Sequence, residues 1–186
     1  MSATVKLKPL GIDEYLTAEE TSEVRHELVD GYLFAMVGIS QRHNSIAGSV
    51  YSLLRAHLRD TPCRVFMSDL KVRIGNDFYY PDLVVSCQVT DPASVVAADP
   101  KLIVEVSSPC PESRDRFEKR LTYQRLESLL EYVLIAQERP QVEVFRRRSD
   151  GWEVETYATG ETAWFESLDL SVALRIIYED VGQFPP

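Results

Sequence analysis

The chain has 186 residues, 45% of them hydrophobic and 26% charged, which suits a soluble domain with a substantial core. Its formal net charge of −9 at pH 7 weighs against a dedicated nucleic-acid binder, because such proteins present a broad basic field. An enzyme that meets nucleic acid through a local basic patch and a metal ion remains open.

No repeat, low-complexity tract or linker-like stretch divides the chain, so residues 1–186 read as one domain. The segment 11–21, GIDEYLTAEET, reads as a short helix. Asp30-Gly31, set between apolar-rich runs in VRHELVDGYLFAMV, is a short-hairpin signal. It places Glu27 in the first arm of that hairpin or at the end of a helix running into it. Residues 40–59 give the clearest helix: Ser40 is the N-cap, and Ile46, Val50, Leu53, Leu54 and Leu58 recur at helical spacing. His43 lies on the same apolar face, where a satisfied core or cap histidine is the ordinary reading.

Strands are predicted over Cys63 to Phe66, Leu70 to Ile74 and Phe78 to Cys87, then Leu102 to Val106 after a polar connection. The pattern from Glu112 to Leu130 is helical, with Pro111 beside its start. Strands at Glu131 to Ile135, Val142 to Arg146 and Trp152 to Tyr157 follow, and the tail adds shorter pieces. The order predicts an α/β (α+β) fold around a central mixed sheet flanked by helices. Cys63, Cys87 and Cys110 are odd in number and lack metal-ligand spacing, so reduced thiols are expected. The first residues carry no apolar signal core and no run approaches membrane-spanning length. A cytoplasmic protein is the expectation.

The stretch Tyr79 to Lys119 carries the chemistry. Two apolar runs, Leu83 to Val85 and Leu102 to Val106, each hold one carboxylate where a buried strand tolerates few: Asp82 at the mouth of the first, Glu105 within the second. Alternation puts Glu105 on the face of Ile103. Buried acids on neighbouring strands need a cation, a hydrogen-bond cage or a raised pKa, and a metal ion satisfies both at once. Ordinary readings stand beside this one: turn chemistry for Asp82, a solvated helix position for Lys119, a hairpin charge for Glu27. Five basic residues against three acids between 112 and 125, and the run Arg146-Arg147-Arg148, are possible phosphate contacts or simply solvated faces. A Ser-His-Asp hydrolase is disfavoured, since no histidine accompanies Ser107 and Ser108 in a recognisable arrangement.

Pro81-Asp82, followed 23 residues later by Glu105 in a strand, resembles the PD-(D/E)XK nuclease superfamily. With HELVDGYL, HNSIAGSVYSLL, FYYPDLVV, LIVEVSSP, EYVLI and VEVFRR in order, roughly residues 10 to 175 resemble the Uma family of putative restriction endonucleases. The resemblance implies a restriction-endonuclease-like fold and a Mg²⁺- or Mn²⁺-dependent endonuclease acting on DNA, with homodimerisation common among such enzymes. It implies Asp82, Glu105 and Lys119 as catalytic residues. Asp82, Glu105, the Val106 carbonyl and Glu27 would be the metal ligands. The pattern's lysine two residues after the second acid is absent, Ser107 standing there; the resemblance assigns that role to Lys119. The alternative is a catalytically inactive module of the same fold that binds nucleic acid or a protein.

Overall fold

The computed structural model describes residues 9–36, 38–88, 91–107, 113–182 and 184, without the side chains of 113–117. Helix α1 (Ile12–Thr21) leads into a hairpin of β1 (His26–Val29) and β2 (Tyr32–Ala35). Its turn is Asp30-Gly31, with φ of 51° and 82°, the left-handed pair that a two-residue hairpin needs. Gly31 is doubly required, because a Cβ there would collide with the Pro9 Cβ.

Helix α2 (Gln41–His57) starts where expected, the Ser40 hydroxyl accepting the His43 N–H at 3.1 Å. Then come β3 (Arg64–Met67), β4 (Val72–Ile74), β5 (Asp77–Tyr79), β6 (Leu83–Ser86) and β7 (Pro100–Ser107). Helix α3 (Ser113–Tyr123) precedes β8 (Glu131–Ala136), β9 (Gln141–Arg148) and β10 (Gly151–Ala158). A small hairpin, β11 (Thr162–Phe165) and β12 (Leu170–Ala173), and a single turn α4 (Leu174–Ile177) follow.

The main sheet has the order β10-β9-β8-β7-β6-β3. Among the described residues its one parallel pair is β7 with β8, and α3 lies in the crossover that a parallel pair requires. A four-stranded antiparallel sheet, β2-β1-β5-β4, lies apart from it. Strand β7 is apolar on both sides because both sides are covered. Leu102, Val104 and Val106 pack with Ile46, Val50 and Leu54 of α2. Ile103 packs on the other side with Tyr79, Tyr123 and Tyr132. That side is floored by aromatic rings, Tyr79 to Tyr123 to Tyr132 to Phe145, with centroids 5.4, 5.6 and 5.9 Å apart.

The mixed, helix-flanked sheet agrees with the sequence reading, and three details correct it. Phe78 to Cys87 is two strands in two different sheets, β5 and β6, rather than one. Pro81 between them has no N–H to continue a ladder. The helix predicted over Glu112 to Leu130 stops at Tyr123 within the described residues. Beyond it Arg147 donates to the carbonyls of Gln124, Leu126 and Leu129, taking oxygens that a longer helix would use. Third, Cys63 and Cys87, expected as free thiols, form a disulfide. The Arg64↔Ser86 pairing of β3 with β6 brings the two cysteines just beyond it face to face, which their spacing of 24 residues does not reveal. Cys110 lies outside the described residues.

Candidate active site

The site forms where β5 and β6 part company. Tyr80, Pro81 and Asp82 carry the chain from the small sheet to the large one. The Asp82 carbonyl accepts the Ser68 N–H at 3.0 Å. Its carboxylate Oδ2 accepts the Val106 N–H at 2.7 Å, standing in for the ladder partner that β6, beginning at Leu83, does not supply. The Leu83↔Val104 register, continued by one residue, sets Asp82 opposite Glu105, and opposed residues share a face.

Glu27 arrives from β1 and is anchored by the Tyr80 N–H, which donates to its Oε1 at 3.1 Å. Strand β1 is itself held by α1: the buried Glu19 carboxylate accepts the His26 N–H at 2.9 Å and the Tyr80 hydroxyl at 3.0 Å. Lys119, on α3, closes the group. Its Nζ lies 2.8 Å from Glu27 Oε1 and 3.1 Å from Glu105 Oε1. Tyr123, one turn further along α3, donates its hydroxyl to Glu105 Oε1 at 3.0 Å. The stripe of α3 bearing Lys119 and Tyr123 therefore faces the sheet, while Leu121 is exposed.

These groups are mostly withdrawn from water, the Glu105 and Lys119 side chains being 14% and 19% exposed. Burial raises the Glu105 carboxyl, the Lys119 ammonium opposes it, and Asp82 and Glu27 raise it further, so it is pushed up to about 7. Burial also works against the Lys119 charge, but Glu105 and then Glu27 outweigh it and hold the ammonium above its ordinary range. Burial and the adjacent Glu105 push the Tyr123 phenol well above its usual value. It is a hydrogen-bond donor at neutral pH.

His43 belongs to this group as well, against the sequence reading of an ordinary core or cap histidine. Its Nε2 lies 3.2 Å from Asp82 Oδ2, and its Nδ1 is buried without a hydrogen-bond partner among the described residues. Burial lowers its pKa, yet Asp82, Glu105 and the Val106 backbone outweigh this and raise it above the ordinary histidine value. The available signal was its place in the first turn of α2, three residues before Ile46 on the inward face.

The remaining basic candidates separate. Arg146 is buried and bonds to Glu131, Glu155 and Tyr157. Arg147 lies over the Trp152 ring, 4.6 Å from its centroid, and Arg148 bridges Glu153 and Glu166. Each arginine of the Arg146–Arg148 run is therefore already engaged within the chain. Arg125 is exposed at the cleft, whereas Glu112 and the side chains of Arg114 and Arg116 lie outside the described set. Ser107, where the pattern would have a lysine, donates to the Ile135 carbonyl.

Glu27, His43, Asp82, Glu105, Val106 and Lys119 all open on one cleft of about 930 Å³. Its donor set suits a hard divalent cation, which takes oxygen ligands, needs one or two carboxylates and keeps several waters. The protein contacts engage Oδ2 of Asp82 and Oε1 of Glu105; each carboxylate has a second oxygen. Among the described residues no three His, Cys, Asp or Glu side chains are already gathered on one point; Lys119 stands between Glu27 and Glu105 as an internal counter-charge.

This architecture is that of a nuclease-like fold. A crystal structure of a putative nuclease belonging to DUF820 from Anabaena variabilis ATCC 29413 superposes with a TM-score of 0.78, covering 92% of this chain and 98% of that one, at 17% identity. The chain belongs to the Uma2 family, described as putative restriction endonuclease, whose model matches residues 12–176. It is 34% identical over 181 residues to Uncharacterized protein slr1290 of Synechocystis sp. (strain ATCC 27184 / PCC 6803 / Kazusa), covering 95% of this chain and 94% of the relative. A second protein of that strain, Uncharacterized protein sll1609, is 29% identical over 171 residues, covering 89% and 97%.

Proposed function

We propose that the chain is a metal-dependent nuclease that hydrolyses phosphodiester bonds in DNA. The observation that carries this reading is the meeting of Glu27, Asp82, Glu105 and Lys119 in one cleft, in a member of a family described as putative restriction endonuclease. Asp82 and Glu105, with the Val106 carbonyl and Glu27, would hold Mg²⁺ or Mn²⁺. When bound, such an ion lowers the pKa of its water and offsets charge on the phosphate.

The chain's own groups divide the remaining work. Lys119, kept charged by two carboxylates, supplies a directed N–H for the attacking water or for a phosphate oxygen gaining charge. His43 and the Val106 N–H fix the orientation of the Asp82 carboxylate, as a second layer does for metal ligands generally. Tyr123 does the same for Glu105. Cutting both strands of a duplex would need a second copy of the chain; cutting one strand would not.

The test is a cleavage assay on single-stranded, duplex and branched DNA and on RNA, with Mg²⁺ or Mn²⁺. Asp82→Asn, Glu105→Gln and Lys119→Ala should each lower the rate by about 10²-fold or more. Cleavage indifferent to all three substitutions would belong to a contaminant and defeat the reading.

One observation favours a second reading, an inactive module of the same fold: Lys119 already neutralises Glu27 and Glu105. Calorimetry separates the two. The nuclease binds Mg²⁺ or Mn²⁺ in a manner that Asp82→Asn abolishes; the inactive module does not.

A further inference from the structure

The cleft has one wall that the hydrolytic chemistry does not use. Phe34, Met36, Ile39 and Leu121 line it, and they are 56%, 39%, 53% and 44% exposed. Phe34 is the cross-strand partner of Glu27, so its ring stands on the same face as the carboxylate that holds Lys119. Strand β2 is one of the two edges of the small sheet, and its sequence, Tyr-Leu-Phe-Ala, carries none of the charges that normally guard an edge.

The opposite feature of the cleft is its charge. Among the described residues that line it, six are Asp or Glu, against Lys119 and Arg125, and Lys119 is already paired. Nucleic-acid binders ordinarily draw most of their affinity from lysines and arginines on phosphates. This cleft cannot. Its apolar wall would also face the charged backbone of a duplex, whose bases are stacked inside, and would gain nothing from it.

We propose that this wall receives the unpaired bases of a single-stranded DNA segment, stacked on Phe34 and packed against Met36, Ile39 and Leu121, while the backbone crosses Glu105 and Lys119. The proposal rests on the reading of the cleft as a nucleic-acid site and names the substrate class within it. Bases supply an apolar face to an apolar wall, and stacking is tolerant of sequence. A second copy of the chain pairing with β2 is the competing occupant. Strand pairing would cover four residues of one edge, whereas the wall continues through Ile39 and across the cleft to Leu121 on α3.

The experiment is fluorescence anisotropy with a labelled oligothymidylate and a hairpin duplex of equal nucleotide count, in Ca²⁺ and in EDTA, alongside cleavage of both in Mg²⁺ and Mn²⁺. Phe34 is exposed, so Phe34→Ala, Phe34→Leu and Phe34→Trp are compatible with folding. The single strand should bind more tightly than the duplex. Phe34→Ala should weaken it by roughly 5- to 150-fold, the span of one base–aromatic stack. Phe34→Leu should also lose affinity and Phe34→Trp should keep it.

Equal or tighter binding of the duplex, or affinity unchanged in Phe34→Ala, overturns the proposal. So does self-association in sedimentation that depends on Phe34 while oligothymidylate does not bind. The two readings fail separately. Single-strand binding that needs Phe34 without any cleavage defeats the nuclease, and cleavage that ignores Phe34 and strandedness defeats only the stacking wall.

Discussion

At the scale of single residues, the site is a balance of charge in a nearly dry place. Glu105 is the acid whose ionised form costs most, and its carboxyl is pushed up to about 7 by burial and by Asp82 and Glu27, against the pull of Lys119. The sign of the linkage follows. An acid whose folded pKa exceeds its unfolded value adds stability at low pH and loses it as pH rises through the folded pKa. In chelator, wild type should therefore gain on Glu105→Gln as pH falls from about 7 toward 4.5. Denaturant melts of both proteins across that window measure the gap; a gap that narrows on acidification would contradict the assignment. Asp82 and Glu105 were legible because acids in apolar strands are conspicuous. His43 was not, because a helical histidine on an apolar face looks the same whether its ring meets packing or a carboxylate.

At the scale of elements, the parting of β5 and β6 decides where the chemistry can sit. One apolar run, Phe78 to Cys87, supplies strands to two sheets, and the gap between those sheets is the cleft. Periodicity alone reads that run as continuous, since a proline can also stand at an edge. The β8–β9–β10 layer shows a different limit. Arg146 looked available to phosphate, yet it is 4% exposed and bonds to Glu131, which is 1% exposed. Removing one partner of a buried ion pair costs about 3–5 kcal/mol. Arg146→Met should thus lower the melting temperature by roughly 6–20 °C, at ~2–4 °C per kcal/mol for a chain of this size. Replacing Glu131 by Leu in the same protein should not recover the loss, because the Glu131 carboxylate also accepts the Glu166 and Ser167 N–H groups, which would be left unpaired. Calorimetry of the single and double variants checks both, and a single variant that melts like wild type would show the network to be dispensable.

At the scale of the whole molecule, two long-range connections matter. Lys119 meets Glu27 across 92 residues of sequence, so the site exists only when the small sheet, the large sheet and α3 are all in place. The Cys63–Cys87 disulfide ties β3 to the end of β6 across a 24-residue separation. In the loop-entropy view a closure of that length is worth about 3 kcal/mol. Reduction should lower the melting temperature by roughly 6–12 °C, and thiol titration of the denatured, unreduced chain should find one reactive cysteine of three. Three reactive thiols before reduction would mean the bridge does not form. Among the described residues, no helix is long and apolar enough to cross a membrane.

The sequence by itself determined the local pieces: the Asp30-Gly31 hairpin, the Ser40 cap of α2, the apolar runs that become β6 and β7, and the awkward acids within them. Each is written in neighbouring residues, through turn chemistry, capping or period. Only the tertiary structure decided which distant groups meet. It set Lys119 rather than Ser107 beside the acids, turned Tyr123 and His43 inward, and laid Phe34 along the same cleft. The physical reason is that strand pairing and helix docking fix those distances. Such contacts join residues far apart in the chain, and no local pattern records them.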